Sequence, residues 1–169
     1  MSDARNDARL NAALAQLPRG SGFVFRHYHL HPDARRVRFD DLAAIARDAG
    51  HLVALSGRGE EARRWGADGI YGHAMLRPAD GLIRLATAHD AAELQAANTA
   101  QADGVFLSPV FPTASHPHGR TLGAAAFLDL AGKSQVPVIA LGGMTRARAE
   151  HLGWPRWGAI DGLAPPHAA

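Results

Sequence analysis

The feature that most constrains this chain is its alternation of short apolar runs with segments of helical spacing. The runs at 103–108 and 136–141 contain few polar residues and end at turn-forming residues, which is typical of buried parallel strands. Repeated strand–helix alternation predicts a parallel sheet, either closed as a barrel or open and doubly wound. The predicted strands lie at 22–28, 51–55, 68–71, 82–86, 103–108, 136–141 and 157–161. The predicted helices lie at 7–17, 39–49, 59–65, 90–98, 123–133 and 145–152.

Composition limits the function classes. The chain has 169 residues, which suits one domain over 1–169 with a sizeable core. Cysteine is absent, so disulfides and thiolate catalysis are excluded. The amino-terminal region is polar and no apolar run reaches the length of a membrane span, so we expect a cytoplasmic protein with no membrane partner. The net charge is only +2 and the arginines are scattered, so we expect no nucleic-acid partner.

A pair of glycines directly follows the sixth predicted strand. Gly142 and Gly143 would let backbone N–H groups approach a ligand closely, and the N-terminus of the next predicted helix favours an anion. The hydroxyl groups of Thr113 and Ser115 follow the fifth predicted strand, and parallel strands deliver such loops to the same edge of a sheet. These four residues therefore predict a phosphate site. The alternative is that the glycines form a plain turn and the hydroxyls cap a loop.

Several stretches of the sequence match motifs of a known family. They are Ser108–Thr113 (Ser-Pro-Val-Phe-Pro-Thr), Pro137–Thr145 (Pro-Val-Ile-Ala-Leu-Gly-Gly-Met-Thr), Ala67–Gly69, Thr87–His89 and Phe25–Arg26. Together they resemble the thiamine phosphate synthase superfamily, which also includes a thiazole tautomerase branch. The resemblance is most specific in the second half of the chain.

The resemblance implies an α/β fold, a TIM-type (βα)8 barrel, which needs one strand more than the pattern predicts. Family members open with a strand that ends in a Val-Thr-Asp-like sequence, and Met1–Asp3 is similar to its end. We therefore expect strand one to be truncated or incomplete, with the natural start upstream of Met1 or most of that strand lost. An incomplete first strand would expose a sheet edge and apolar surface, which favours a homodimer.

The resemblance also implies an activity, the joining of hydroxymethylpyrimidine pyrophosphate to thiazole phosphate with magnesium, but this sequence departs from the family pattern. The family holds the pyrophosphate with an arginine and a lysine. Arg26 matches the arginine, whereas Tyr28 stands at the position of the lysine. Ser56–Arg58 stands where the family has a magnesium-binding Asn-Asp, and a second aspartate has no counterpart in 72–76. In the loop after Pro112, His116 stands where the family has a lysine. Magnesium prefers oxygen ligands, so we expect it only if other residues supply them.

The resemblance and the positions of polar residues after strands select the candidate site. The candidate catalytic residues are Arg26, His89 and His116; the phosphate-binding residues are Thr113, Ser115, Gly142 and Gly143; the substrate-binding residues are Tyr28 and Thr87; no metal ligand is assigned. Pro109 stands where the tautomerase branch has its catalytic histidine.

Histidine is abundant, with ten residues, many of them close to predicted strand ends. The spacing of His27, His29 and His31 would place three rings on one side of an extended segment, as a metal site could use. The alternative is that each is an ordinary loop or surface histidine. Asp68 and Asp103 begin strands, so we expect them at the opposite end of the sheet from the site.

Three function hypotheses remain open on the sequence. The first is a thiamine phosphate synthase acting on small phosphorylated substrates, with Arg26 on the pyrophosphate. The second is a catalytically degenerate paralogue that binds a phosphate ligand, which the missing carboxylates favour. The third is a metal-independent isomerase or tautomerase of a phosphate ester that uses His89 or His116 as a base.

Overall fold

The computed structural model describes residues 1–73, 81–114 and 119–162 of the chain. Its centre is a six-stranded sheet in which every neighbouring pair of strands is parallel and the strands follow chain order. The sheet is curled, so the fold is an α/β half-barrel. The strands are β1 Gly22–Phe25, β2 Leu52–Ser56, β3 Gly69–His73, β4 Ile83–Ala88, β5 Gly104–Leu107 and β6 Val138–Ala140.

Helices precede and connect these strands. A 3₁₀ helix at Ala4–Arg9 leads into α1, and the remaining helices mostly cross from one strand to the next. Such crossovers return the chain to the same end of the sheet, so all strands finish at one edge. The helices are α1 Leu10–Gln16, α2 Pro32–Asp48, α3 Gly59–Trp65, α4 Ala91–Thr99, α5 Gly123–Gly132 and α6 Arg146–Leu152.

Three predicted elements differ from the structure. The helix predicted at 39–49 begins seven residues earlier, because Pro32 occupies its first turn and Asp33 supplies the acidic charge there. The strand predicted at 22–28 ends at Phe25, because the chain turns at His27, whose φ is +37°. The strand predicted at 157–161 is reduced to an isolated bridge between Ala140 and Trp157.

The two faces of the sheet have different roles. The convex face packs against the helices through two apolar clusters, one under α1–α3 and one under α4–α6. The concave face carries a third cluster that joins residues of distant strands, including Val24 of β1 and Phe106 of β5. Since side chains alternate between faces along a strand, every second residue points into this concave interior. The same alternation decides which polar residues reach the edge where the strands end.

A few backbone hydrogen bonds extend the sheet at both edges. The backbone N–H of Ser2 donates to the Val24 carbonyl at 2.9 Å, beside β1. Beyond β6, the N–H of Gly158 donates to the Ala140 carbonyl at 2.9 Å. The nitrogen of Met1 donates to the Ala159 carbonyl at 2.8 Å, so the first residues contact both edges. Met1–Asp3 thus lies where the first strand was expected, paired over a very short length.

A cavity of about 660 Å³ opens at the end of the sheet where the strands begin. Its walls are mainly apolar and include the first residues of β1, β2 and β3, which are Gly22, Leu52 and Gly69. Asp68 and Asp103 also line this end, as expected from their positions before strands. Within the described ranges, no helix has the length and hydropathy needed to span a membrane.

Candidate functional site

The carboxyl ends of the strands carry a layer of polar side chains on the concave face. Ser56 follows Ala54, and Tyr71 follows Gly69, at two-residue spacing along concave-facing positions. By the same alternation, Thr87 follows Leu85 and Ser108 follows Phe106. Arg26 occupies the corresponding position two residues after Val24. The layer consists of Arg26, Ser56, Tyr71, Thr87 and Ser108.

Arg26 is held by a hydrogen-bond network that begins at the amino-terminal segment. The Arg26 N–H donates to Ser2 Oγ at 2.7 Å, and its guanidinium lies 4.0 Å from the Asp3 carboxylate. Ser2 Oγ is also 2.8 Å from Nδ1 of the buried His27, whose Nε2 is 2.8 Å from Asp7 Oδ1. A carboxylate oxygen only accepts, so Nε2–H of His27 donates to Asp7, and in the neutral ring Nδ1 accepts from the Ser2 O–H. Ser2 Oγ accepts from the Arg26 N–H at the same time.

Two pKa shifts agree with this network. Burial lowers the pKa of His27 below its ordinary value, and the hydrogen bond to Asp7 opposes that effect only in part. Burial would raise the pKa of Asp7, but hydrogen bonds from His27 and Arg38 outweigh it and hold that pKa low. The network therefore joins a neutral ring to an ionised carboxylate, which Arg38 contacts at 2.8 Å.

An open recess of about 580 Å³ lies at the ends of β2 and β3. Tyr28, which is 62% exposed, reaches over it and forms a short hydrogen bond with Ser56. Tyr71 lies deeper, against Phe106, and burial raises its pKa to about 12. Its hydroxyl is therefore protonated at neutral pH and can donate a hydrogen bond. The described residues that line the recess are Tyr28, Arg35, Ser56, Gly57, Arg58, Glu61 and Tyr71.

His89 lies at the junction of β4 and β5 with one ring nitrogen fixed. Its Nδ1 is 2.7 Å from the Ser108 carbonyl oxygen. A carbonyl can only accept, so the proton of the neutral ring is on Nδ1 and the Nε2 lone pair is available. The backbone N–H of His89 donates to Glu93 Oε2 at 2.8 Å, which anchors the residue at the start of α4. His89 is thus arranged as a proton acceptor through Nε2.

The glycine pair lies directly against the loop after β5. Gly142 and Gly143 have φ of +92° and +61°. A Cβ on Gly142 would lie 2.6 Å from Pro109 Cα, and one on Gly143 would lie 2.4 Å from the Pro112 carbonyl oxygen. Glycine is required at both positions for conformation and for close packing. The two sequence motifs therefore form one structural unit at the carboxyl edge, next to Thr113.

The remaining sequence-predicted residues are distributed as follows. Ser115 and His116 lie outside the described residues, as does most of 72–76. The extended arrangement predicted for His27, His29 and His31 is wrong, because the chain turns after β1 and His27 is buried in the Ser2–Asp7 network. His31 is instead the N-cap residue of α2.

The described residues do not fit a magnesium ion. No group of three or more His, Asp or Glu side chains within residues 1–73, 81–114 and 119–162 is arranged to hold a metal. Ser56 ends β2, Gly57 and Arg58 occupy the turn after it, and the nearby Glu61 carboxylate is 3.3 Å from Arg35. A guanidinium repels a divalent cation, and magnesium needs several oxygen ligands in octahedral geometry. This part of the site is suited to anions.

Sequence reasoning missed several residues of the site. Arg35 donates to the carbonyls of Arg26 and Ser56 at 3.1 and 2.8 Å and so fixes the ends of β1 and β2. In the sequence, Ser2 is recognisable only as part of a shortened first strand. Tyr71 carries no motif, and only its two-residue spacing from Gly69 indicates that it lies on the concave face. Arg35 lies within a helix, and only the folded chain shows which way it points.

Comparison with known proteins agrees with this geometry. The family model of thiamine monophosphate synthase matches residues 2–154. The thiamine-phosphate synthase of Methanoregula boonei is 35% identical over 125 residues, which cover 68% of this chain and 57% of that protein. A relative from Aquifex aeolicus is 31% identical over 108 residues, covering 64% of this chain and 51% of its own length. The chain therefore spans a little over half the length of these curated relatives.

The fold also matches a solved structure. The thiamine phosphate pyrophosphorylase from Pyrococcus furiosus superposes with a TM-score of 0.78 at 21% identity. The match covers 94% of this chain and 82% of that one. At this identity the likeness concerns the fold.

Proposed function

Because the chain belongs to the thiamine monophosphate synthase family, we propose that it joins hydroxymethylpyrimidine pyrophosphate to thiazole phosphate and releases inorganic pyrophosphate. The observation that carries this proposal is the convergence of two loops at the carboxyl edge. The glycine pair packs on the Pro109–Pro112 loop, while Arg26 lies in the polar layer at the same edge. These are the stretches by which the sequence resembles the family.

The two substrates would bind at opposite ends of the site. Thiazole phosphate would bind at Gly142, Gly143, Thr113 and Ser115, through backbone N–H groups and hydroxyls. The pyrimidine pyrophosphate would bind at the ends of β1 to β3, beside Arg26 and Tyr28, with Thr87 close to the reacting groups. As the carbon–oxygen bond to pyrophosphate breaks, charge accumulates on the leaving group, and guanidinium groups stabilise it. His89 Nε2, and His116 where it approaches, would orient the pyrimidine or accept a proton.

A second candidate rests on His89. Its fixed tautomer, with Nδ1–H donated to the Ser108 carbonyl, is the arrangement that a general base needs. A metal-independent isomerase or tautomerase of a thiazole phosphate would use this base without any contribution from Arg26. A degenerate binding paralogue is the remaining alternative, and it is favoured because the described residues do not fit a magnesium ion.

We also propose that 1–169 forms one domain, a (βα)8 barrel in which Met1–Asp3 and 157–161 are shortened strands. The cytoplasmic location, the absence of nucleic-acid partners and the homodimer belong to the same proposal.

A turnover assay tests the activity. We expect thiamine phosphate to form when the protein is incubated with both phosphorylated precursors, and Arg26→Gln to lower kcat/KM about 100-fold or more, because a charge-assisted contact to the leaving group is lost. His89→Gln separates the candidates, since it would abolish a tautomerase but leave part of the synthase rate. Failure of the wild-type chain to form product, together with stabilisation by thiazole phosphate on heating, would favour the binding paralogue.

A further inference from the structure

The recess at the ends of β2 and β3 contains three charged side chains with different surroundings. Arg35 is largely buried, stacks over Trp65 at 5.1 Å and lies 3.3 Å from Glu61. Its charge is therefore compensated within the protein. The third charge is that of Arg58, the N-cap residue of α3. Among the described residues, no acceptor contacts the Arg58 guanidinium.

Charges around the recess leave it positive. The nearest cation towards β1 is Arg26, which lies 5.6 Å from the Tyr28 ring centroid. Arg26 lies 4.0 Å from Asp3, which also contacts Arg5 at 2.9 Å, and Arg5 in turn lies 3.4 Å from Asp161. Glu60 is exposed in the first turn of α3 and does not line the recess. Because the Glu61 carboxylate lies against Arg35, the described carboxylates leave the charge of Arg58 uncompensated.

The walls of the recess are suited to a planar group that carries phosphates. The Tyr28 side chain is exposed at its rim, and the protonated Tyr71 hydroxyl can donate a hydrogen bond from its wall. Gly57 leaves room beside the Glu61 carboxylate, because a Cβ there would lie 2.7 Å from Glu61 Oε2. An aromatic ring with an attached diphosphate would find both a stacking surface and guanidinium groups here.

We propose that Arg58, together with Arg26, binds the diphosphate of the substrate directly, taking the electrostatic part that a divalent cation would otherwise have. The identity of that substrate rests on the proposed function, but diphosphate binding does not require turnover. A guanidinium is always charged and forms paired hydrogen bonds with phosphate oxygens, so it neutralises the ligand without metal. The ligand class is an aromatic or free diphosphate that binds without magnesium.

Calorimetric titration with inorganic pyrophosphate tests this proposal. We expect the wild-type protein to bind equally well in excess EDTA and in magnesium, and more weakly as salt is raised. Arg58→Gln should weaken binding about tenfold to a hundredfold, the loss expected for a charge-assisted contact. The matched control is Arg63→Gln, on the same helix but outside the recess, which should stay within about twofold of wild type because it lacks that contact.

A second variant separates binding from folding. Arg58→Asp places a preferred N-cap residue at the start of α3, so the melting temperature should hold or rise. The same change should abolish pyrophosphate binding in EDTA. Magnesium-dependent wild-type binding would overturn the proposal, as would unchanged affinity in Arg58→Gln or no binding at all. Metal-free binding without turnover would uphold the diphosphate site while contradicting the proposed synthase activity.

Discussion

His27, whose pKa is lowered by burial, joins the amino-terminal segment to the end of β1 through hydrogen bonds to Ser2 and Asp7. Its ring is stacked on Phe25 with centroids 4.8 Å apart, and the charged neighbours that face it are Asp7 and Arg38. His29 is the other titratable group nearby, with its ring centroid 5.2 Å away. Residues 26 and 28 flank His27, so this network also determines where Arg26 and Tyr28 emerge.

The stability of the protein should therefore depend on pH through His27. Because the folded-state pKa lies below the unfolded value of about 6.5, the stabilisation is complete above that pH and is lost as pH falls through the folded-state pKa. The free energy of unfolding should fall by up to about 1.4 kcal/mol per pH unit within that window. Urea unfolding at several pH values between 7.5 and 5 measures this change in the free energy of unfolding.

Substitution of His27 tests whether this residue causes the pH dependence of stability. His27→Gln should cost about 1–3 kcal/mol at pH 7.5, because the buried hydrogen bonds are lost, and should reduce the slope. The slope that remains comes in part from the Met1 ammonium, because burial lowers its pKa to about 5. His31→Gln is the matched control, since the His31 side chain is 80% exposed, and it should keep the wild-type slope. An unchanged slope in His27→Gln would place the titrating group elsewhere.

Among the elements, the link between β6 and α6 leaves little room for added volume. Gly143→Ala should destabilise the fold by about 1–3 kcal/mol, because φ is +61° and the new Cβ would meet the Pro112 carbonyl. Gly132→Ala is the matched control: it ends α5 with no atom within 4 Å, and alanine should be neutral or stabilising by up to about 1 kcal/mol. Thermal melts compare the two, and equal melting temperatures would contradict the packing argument.

At the scale of the whole molecule, the cavity where the strands begin is an unfilled part of the concave interior. Gly22 borders it, and a Cβ there would meet nothing within 4 Å. Gly22→Val should stabilise the fold by about 0.5–1 kcal/mol, because a strand glycine loses more conformational entropy on folding and valine favours the extended backbone. Gly20→Ala, also in open space but with φ of +83°, should destabilise. Chemical unfolding measures both, and a destabilised Gly22→Val would mean that the cavity is closed in solution.

The order of strands and helices was readable from the sequence, because the period of apolar residues reflects local backbone geometry. The end of β1 could not be predicted, because the turn at His27 depends on its partners Ser2 and Asp7 in the amino-terminal segment. The start of α2 was predicted too late, because it is marked by Pro32 and not by the apolar pattern.

Short-range patterns are enough to predict the parallel α/β architecture, the two loop motifs and the family. Which charges compensate each other depends on contacts that form only in the folded chain. Arg35 and Arg58 are both arginines close to strand ends, yet Arg35 is paired with Glu61 and Arg58 has no described acceptor. The tertiary structure likewise decided that His27 is a buried structural residue and that Met1–Ser2 contacts both sheet edges. Such partners lie far apart in the chain and meet only when the sheet curls, so no local pattern specifies them.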